Sequence, residues 1–188
     1  MTKPMQLRGR TAVITGAGGG IGRAIALSLA RRGCRLMLTD IDLAAVQATA
    51  LAATGEYGVE ALAGRLDVAD RASVAALPAQ VLASFGGADL LINNAGVALG
   101  GSFTQVSEAD FDWLMGINFQ GVVTMTRAFI PLLSASDDAR LVNLSSIFGI
   151  VAPPGQSAYA AAKFAVRGFS EDRKSTTSEL QSHLNLVC

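Results

Sequence analysis

Short runs rich in apolar residues recur along the chain at positions 11–15, 35–39, 59–66, 90–93 and 141–144, and longer Ala- and Leu-rich stretches separate them. Strand-like runs alternating with helical stretches mark βαβ units. The longer stretches carry helical spacing: Ile21, Ile25 and Leu29 fall on one face, and Gly33 follows where the helix can close. Strands that run parallel need such crossovers. Their almost unbroken apolar character fits a sheet covered by helices on both faces. The pattern therefore predicts a doubly wound parallel sheet in a three-layer α/β/α domain. No repeat or internal linker interrupts it before about residue 170, and function then has to be read from the loops at the carboxyl ends of the strands.

Composition narrows the partners without altering the fold. Hydrophobic residues make up 51% of the 188, and fifteen basic residues balance fifteen acidic ones, enough for one domain with a real core. That balance excludes a disordered chain and gives no electrostatic footprint for nucleic acid or an anionic membrane. Cys34 and Cys188 are the only cysteines. Cys34 opens an apolar run, where a small buried thiol fits, so no disulfide framework is expected. Residues 1–10 have no apolar h-region, and no later stretch is long enough for a membrane helix. A soluble, cytoplasmic protein acting on a small molecule is the expectation.

The first strand runs directly into Thr15-Gly16-Ala17-Gly18-Gly19-Gly20-Ile21-Gly22, where a helix starts. Glycines there let the backbone approach a pyrophosphate, while free N–H groups and the positive helix end face its charge. The spacing departs from G-x-G-x-x-G because Ile21 takes the sixth position, but the strand-loop-helix context is the one the mechanism needs. The second run ends at Asp40, where a carboxylate can accept hydrogen bonds from an adenosine ribose. Its charge would repel a 2′-phosphate, which favours NAD over NADP; the competing reading is a helix N-cap, a task Asp42 could share. Asp67-Val68 ends the third run and Asn93-Asn94-Ala95-Gly96 the fourth.

In this order the motifs resemble those of the short-chain dehydrogenase/reductase family, a Rossmann-type fold, over roughly residues 7–171. By that resemblance Gly16, Gly20 and Ile21 lie along the pyrophosphate, Gly22 belongs to the same cofactor-binding loop, and Asp40 holds the ribose. It also implies that Asp67 and Val68 flank the adenine and that Asn94, Ala95 and Gly96 back the cofactor.

Tyr159 and Lys163 stand at i and i+4, one helical turn apart on one face. A free phenol loses its proton only near pH 10, and a neighbouring ammonium stabilises the phenolate, making a proton-transfer group. Ser146, thirteen residues before Tyr159 and just past the fifth strand, could orient a substrate oxygen. The resemblance completes the set with Asn118, which it casts as the anchor of a water joining Lys163 to solvent; the plainer reading is a side chain satisfying a local carbonyl. It further assigns to Lys163 a bond to the nicotinamide ribose. The implied reaction is reversible hydride transfer between NAD and an alcohol or ketone carbon, with Tyr159 taking or returning the hydroxyl proton. Val97, Leu99, Phe148, Val151 and residues 153–156 are expected to border a mostly apolar substrate pocket. The single histidine, His183, lies outside the folded pattern, so a Ser-His-Asp hydrolase or a histidine metal site lacks its parts.

After Glu171 the chain turns polar, from Asp172 through His183, and loses its apolar stripe. The segment resembles a sequencing-library adapter translated in frame, the alternative being a divergent natural terminus. The expectation is an incomplete Rossmann domain over 1–171, lacking the last strands of the family fold, and a non-native tail over 172–188. A homodimer or homotetramer is expected for the parent protein, through the helices carrying Asn118 and Tyr159. A non-catalytic NAD-binding module and an inactive fragment are the competing functions.

Overall fold

The computed structural model describes residues 5–175 and 185–187. Six parallel strands form one sheet in the order β3-β2-β1-β4-β5-β6. They are β1 (Thr11–Thr15), β2 (Arg35–Asp40), β3 (Ala61–Arg65), β4 (Leu90–Asn93), β5 (Arg140–Asn143) and β6 (Asn185–Val187). The helices are α1 (Gly20–Arg31), α2 (Leu43–Tyr57), α3 (Arg71–Phe85), α4 (Glu108–Met115), α5 (Gly121–Ser134) and α6 (Ser157–Ser175). A π-helical turn, Gly116–Gln120, joins α4 to α5, and a 3-10 turn, Ile147–Gly149, follows β5.

Each face of the sheet is covered, as the unbroken apolar strands require. On one face Val13, Leu91 and Leu141 pack against Val74 and Phe85 of α3 and Met125 and Phe129 of α5. On the other, Ile14, Leu36 and Leu38 meet Ala26 and Ala30 of α1 and Val46 and Ala50 of α2. The chain reverses its winding between β1 and β4, so the loops leaving those two strands diverge and open a crevice at the carboxyl edge. Asp70 and Ser107 cap α3 and α4 by accepting the N–H groups of Ala72 and Asp110.

The structure modifies the reading of α1 and adds an element the hydropathy pattern does not show. Spacing puts Ile21, Ile25 and Leu29 on one face of α1, and Ile25 and Leu29 do pack against the core, but Ile21 is 66% exposed and the fully buried residues are Gly22, Ala26 and Ala30. Small residues win because the helix starts against the loop and must approach the sheet closely. Cys34 is buried as expected, its thiol donating to Leu7 O at 3.2 Å, and burial pushes that thiol up to about 11. Sequence pattern also ends the domain at residue 171 with no strand after β5. In the structure α6 runs to Ser175, and Asn185–Val187 pair with β5 as β6. Three residues are too few for a hydropathy pattern to reveal, and backbone pairing along the open edge of β5 is what defines them. His183 and Cys188 lie outside the described residues. No helix among the described residues is long and apolar enough to cross a membrane.

Among the described residues Phe129 is the largest fully buried side chain. Phe129→Ala is expected to lower unfolding stability by about 3 kcal/mol or more through the cavity it leaves, measured by chemical denaturation.

Candidate functional site

β1 delivers the chain to Gly16, whose φ of 66° suits glycine, and an added Cβ there would lie 2.9 Å from Ala95 Cα and from Asn94 Nδ2. At Gly22 the fit is tighter still: a Cβ would lie 2.0 Å from Gly16 O. The first turn of α1 therefore sits directly on the loop. Gly19 begins α1 with no side-chain cap, and no acidic residue stands in the first turn. Open N–H groups and the helix dipole make this end attractive to an anion.

Two neighbouring carboxylates divide the tasks at the end of β2. Asp42 caps α2, accepting from Ala45 N at 3.0 Å. Asp40 turns instead to the glycine loop, accepting from Gly18 N at 2.8 Å and from Asp42 N at 3.0 Å. The N-cap alternative for Asp40 thus falls to Asp42. A Cβ on Gly18 would come within 2.9 Å of Asp40 Oδ2, so the loop and the carboxylate are mutually fitted.

A clasp across the switch point joins β1 to β4. Thr15 Oγ1 accepts the N–H groups of Asn94 at 3.1 Å and Ala95 at 3.0 Å. Asn94 Nδ2 in turn donates to Thr15 O and Gly16 O, both at 2.9 Å. The signal for this role in the sequence is a hydroxyl at the last strand position before the glycine turn.

The crevice is a cavity of about 610 Å³. Gly16, Ile21 and Asp40 line it together with Asp67, Val68 and the run Asn94 to Gly96, and Tyr159 and Lys163 line the same space. Gly20 and Gly22 shape the loop without lining the cavity, and Ile41, Trp113, Ile117 and Ser145 contribute walls the motifs did not signal. Among the expected substrate-pocket residues Val97 lines the cavity, Leu99 packs in the cluster containing Tyr159, and the ring of Phe148 meets that of Tyr159 edge-on at 6.0 Å. The loop after β4 and the segment before α6 are stitched by Gly101 N donating to Gly155 O at 2.9 Å.

Lys163 is 6% exposed, and its Nζ lies 5.6 Å from the centroid of the Tyr159 ring. Burial lowers its ammonium from the ordinary lysine range. The charge is steadied by a hydrogen bond from Nζ to Leu144 O at 2.9 Å, and Ser145 Oγ donates to Lys163 O at 3.1 Å. Ser146 caps the 3-10 turn, its Oγ accepting from Phe148 N at 3.2 Å, so the hydroxyl proton stays available to another acceptor. Asn118, 1% exposed, has both side-chain ends taken by one residue: Oδ1 accepts from Val97 N and Nδ2 donates to Val97 O, each at 2.8 Å. Its side chain ties the π-helical turn to the loop after β4, with a partner twenty-one residues away rather than a carbonyl of its own helix.

Comparison with known proteins bears on the family and the fold. A family model described as short chain dehydrogenase matches residues 10–188. The SadH protein of Mycobacterium tuberculosis is 47% identical over 163 residues, 87% of this chain and 59% of that protein. The chain thus spans about three fifths of the length of this curated relative. A crystal structure of a short-chain dehydrogenase/reductase from Burkholderia phymatum in complex with NAD superposes with a TM-score of 0.90 at 35% identity, covering 97% of this chain and 65% of that one. A metagenomic short-chain oxidoreductase in complex with NADP gives a TM-score of 0.88 at 33% identity, covering 97% of this chain and 81% of that one.

Because Gly22 has no room for a side chain, Gly22→Ala is expected to displace the loop. Dinucleotide binding measured by calorimetry should then fall below detection while the far-ultraviolet spectrum keeps its α/β shape.

Proposed function

The chain belongs to the short-chain dehydrogenase family, and on that premise we propose that the protein moves a hydride between NAD(H) and the carbinol carbon of a secondary alcohol or the carbonyl carbon of a ketone. One observation carries the reading: Tyr159 and Lys163 line the same cavity as the glycine loop and Asp40. A phenol and an ammonium in a dinucleotide crevice are the parts of a proton-transfer site beside a hydride acceptor.

The residues fit the cofactor. The uncapped start of α1 and the side-chain-free approach at Gly16 suit a pyrophosphate, Asp40 suits a ribose diol, and Asp67, Val68 and Asn94 to Gly96 suit the remainder of the adenosine. Bound NAD would supply the hydride acceptor, or as NADH the donor. Tyr159 takes the proton of the alcohol in oxidation and returns it in reduction. The Lys163 ammonium, held by Leu144 O and largely cut off from water, gains most by facing a negative charge, and the Tyr159 phenolate is that charge. Lys163 would also hold the nicotinamide ribose of a bound cofactor. Ser146 donates its free hydroxyl proton to the reacting oxygen. With its side chain committed to Val97, Asn118 would hold a relay water through main-chain carbonyls, at a turn where Gly121 N–H bonds Gly116 O and the ordinary helical ladder is broken. Positioning and electrostatics are then the protein's contribution.

NAD is the preferred cofactor in this reading. Asp40 would face a 2′-phosphate with a negative charge, and the cavity lining holds no basic residue except Lys163. The substrate oxygen is carried on an apolar body, in keeping with Val97, Leu99 and Phe148 around Tyr159. Assembly into a homodimer or homotetramer through the helices carrying Asn118 and Tyr159 belongs to the same proposal, and the exposed Phe164 on α6 supports it.

Tyr159→Phe is expected to lower turnover at least about 100-fold in a panel of secondary alcohols followed at the NADH absorbance band, with NAD affinity kept within a few-fold. Full activity in that variant would overturn the reading. Asp40→Ala is expected to raise the NADP-to-NAD ratio of kcat/KM about tenfold or more; an unchanged ratio would remove Asp40 as the discriminator.

A further inference from the structure

Four buried polar side chains stand in a row beneath the carboxyl edge of β4 and β5, and none is used by the chemistry above. Asn93 Nδ2 donates to Thr126 Oγ1 of α5 at 3.2 Å and to Asn143 Oδ1 at 2.9 Å. Asn143 Nδ2 donates to Ser170 Oγ of α6 at 3.0 Å, and Ser170 donates to Val166 O at 2.7 Å. Asn93 and Asn143 are register partners on adjacent strands, and all four residues are no more than 3% exposed. Stability alone does not call for such a row, since apolar groups of the same shape would serve as well or better. The row persists although Asn93 Oδ1 is left buried without a partner. What it adds is direction, because hydrogen bonds fix register where apolar contacts tolerate sliding.

Helix geometry says what is being directed. At about 100° per residue, Ser170 lies about 20° around the helix from Tyr159 and about 20° from Lys163. It therefore occupies the stripe of α6 that carries the two reactive side chains. α6 is fastened to consecutive residues at the end of β5, by Lys163 Nζ donating to Leu144 O and by Asn143 Nδ2 donating to Ser170 Oγ. The two points are about 10 Å apart along the helix axis. One point uses the ammonium that the reaction needs, and the other leaves it free of the whole structural burden. Two points on one stripe set both the roll and the height of a helix.

We propose that Ser170 and Asn143, braced by Asn93 and Thr126, are positioning residues that fix the roll of α6 and thereby aim the Tyr159 hydroxyl into the cavity. The inference rests on the assignment of Tyr159 as the proton-transfer group, and its test separates the two.

Ser170→Ala and Asn143→Ala are made singly and together, beside Ser170→Thr, which keeps the hydroxyl, and Arg167→Ala, which removes an exposed ion pair with Glu171 from the same helix. Ser170→Ala should reduce kcat about tenfold with KM for NAD within twofold, shift the pH profile of kcat, and speed amide exchange over residues 159–170. Ser170→Thr should recover most of the loss, the double variant should be no worse than the poorer single, and Arg167→Ala should leave kcat and its pH profile unchanged. Should Ser170→Ala fail to fold, the near-isosteric Thr126→Val at the far end of the row should lower kcat about threefold by the same route. Unchanged kcat and pH profile in the folded variants, beside an inactive Tyr159→Phe, would overturn the positioning role alone. A fully active Tyr159→Phe would overturn the catalytic assignment, and accelerated exchange in α6 would then still register whether the row fixes the helix.

Discussion

The structure depends on a clasp at the point where the sheet changes its winding direction. β1 and β4 are hydrogen-bonded neighbours whose following segments diverge to opposite faces, so nothing in the sheet itself holds the mouth of the crevice at a fixed width. Thr15 and Asn94 supply that restraint with four hydrogen bonds in which backbone groups of each loop are satisfied by a side chain of the other. Backbone polar groups turned toward a crevice would otherwise need water. Once they are fixed, the glycine loop has one shape, Gly22 can seat the helix against Gly16 O, and Asp40 meets Gly18. The anion-attracting end of α1 is a consequence of this order.

The other half of the site answers a different problem, keeping a charge where water barely reaches. Lys163 is buried, and burial alone disfavours its ammonium. A carbonyl acceptor from Leu144 offsets part of that penalty, and the neighbouring phenol supplies a group whose negative form would offset more. The two halves are built on separate elements, α1 with β2 and α6 with β5. They meet only because all strands are parallel and present their carboxyl ends on one side. The loop after β4 serves both, since Asn94 belongs to the clasp and Val97 holds Asn118.

Much of the site was legible because its residues carry local signals. A glycine cluster between a strand and a helix, a carboxylate at the end of β2 and a tyrosine and lysine one turn apart can each be recognised without coordinates. Other features have no local signature. The choice of Asp42 over Asp40 as the N-cap depends on the position of Gly18, twenty-two residues from Asp40. The commitment of the Asn118 side chain depends on Val97 across a loop, and the buried face of α1 on how closely the helix approaches β1. Ser145 and Ser146 are indistinguishable as a sequence pair, yet one hydroxyl reaches back to Lys163 O and the other caps a 3-10 turn.

The sequence by itself determined the alternation of strands and helices through β5, the parallel sheet, the glycine loop and the chemical types at each strand end. These follow from periodicity and composition, which act over a few neighbouring residues. Tertiary structure alone decided which side chains share a cavity, which hydroxyl protons stay free, how deeply Lys163 is buried, and that Asn93, Asn143, Thr126 and Ser170 form one row. The physical reason is that burial and hydrogen bonding at the site join residues far apart in the chain. Their energies are set by distances that exist only after the sheet has closed.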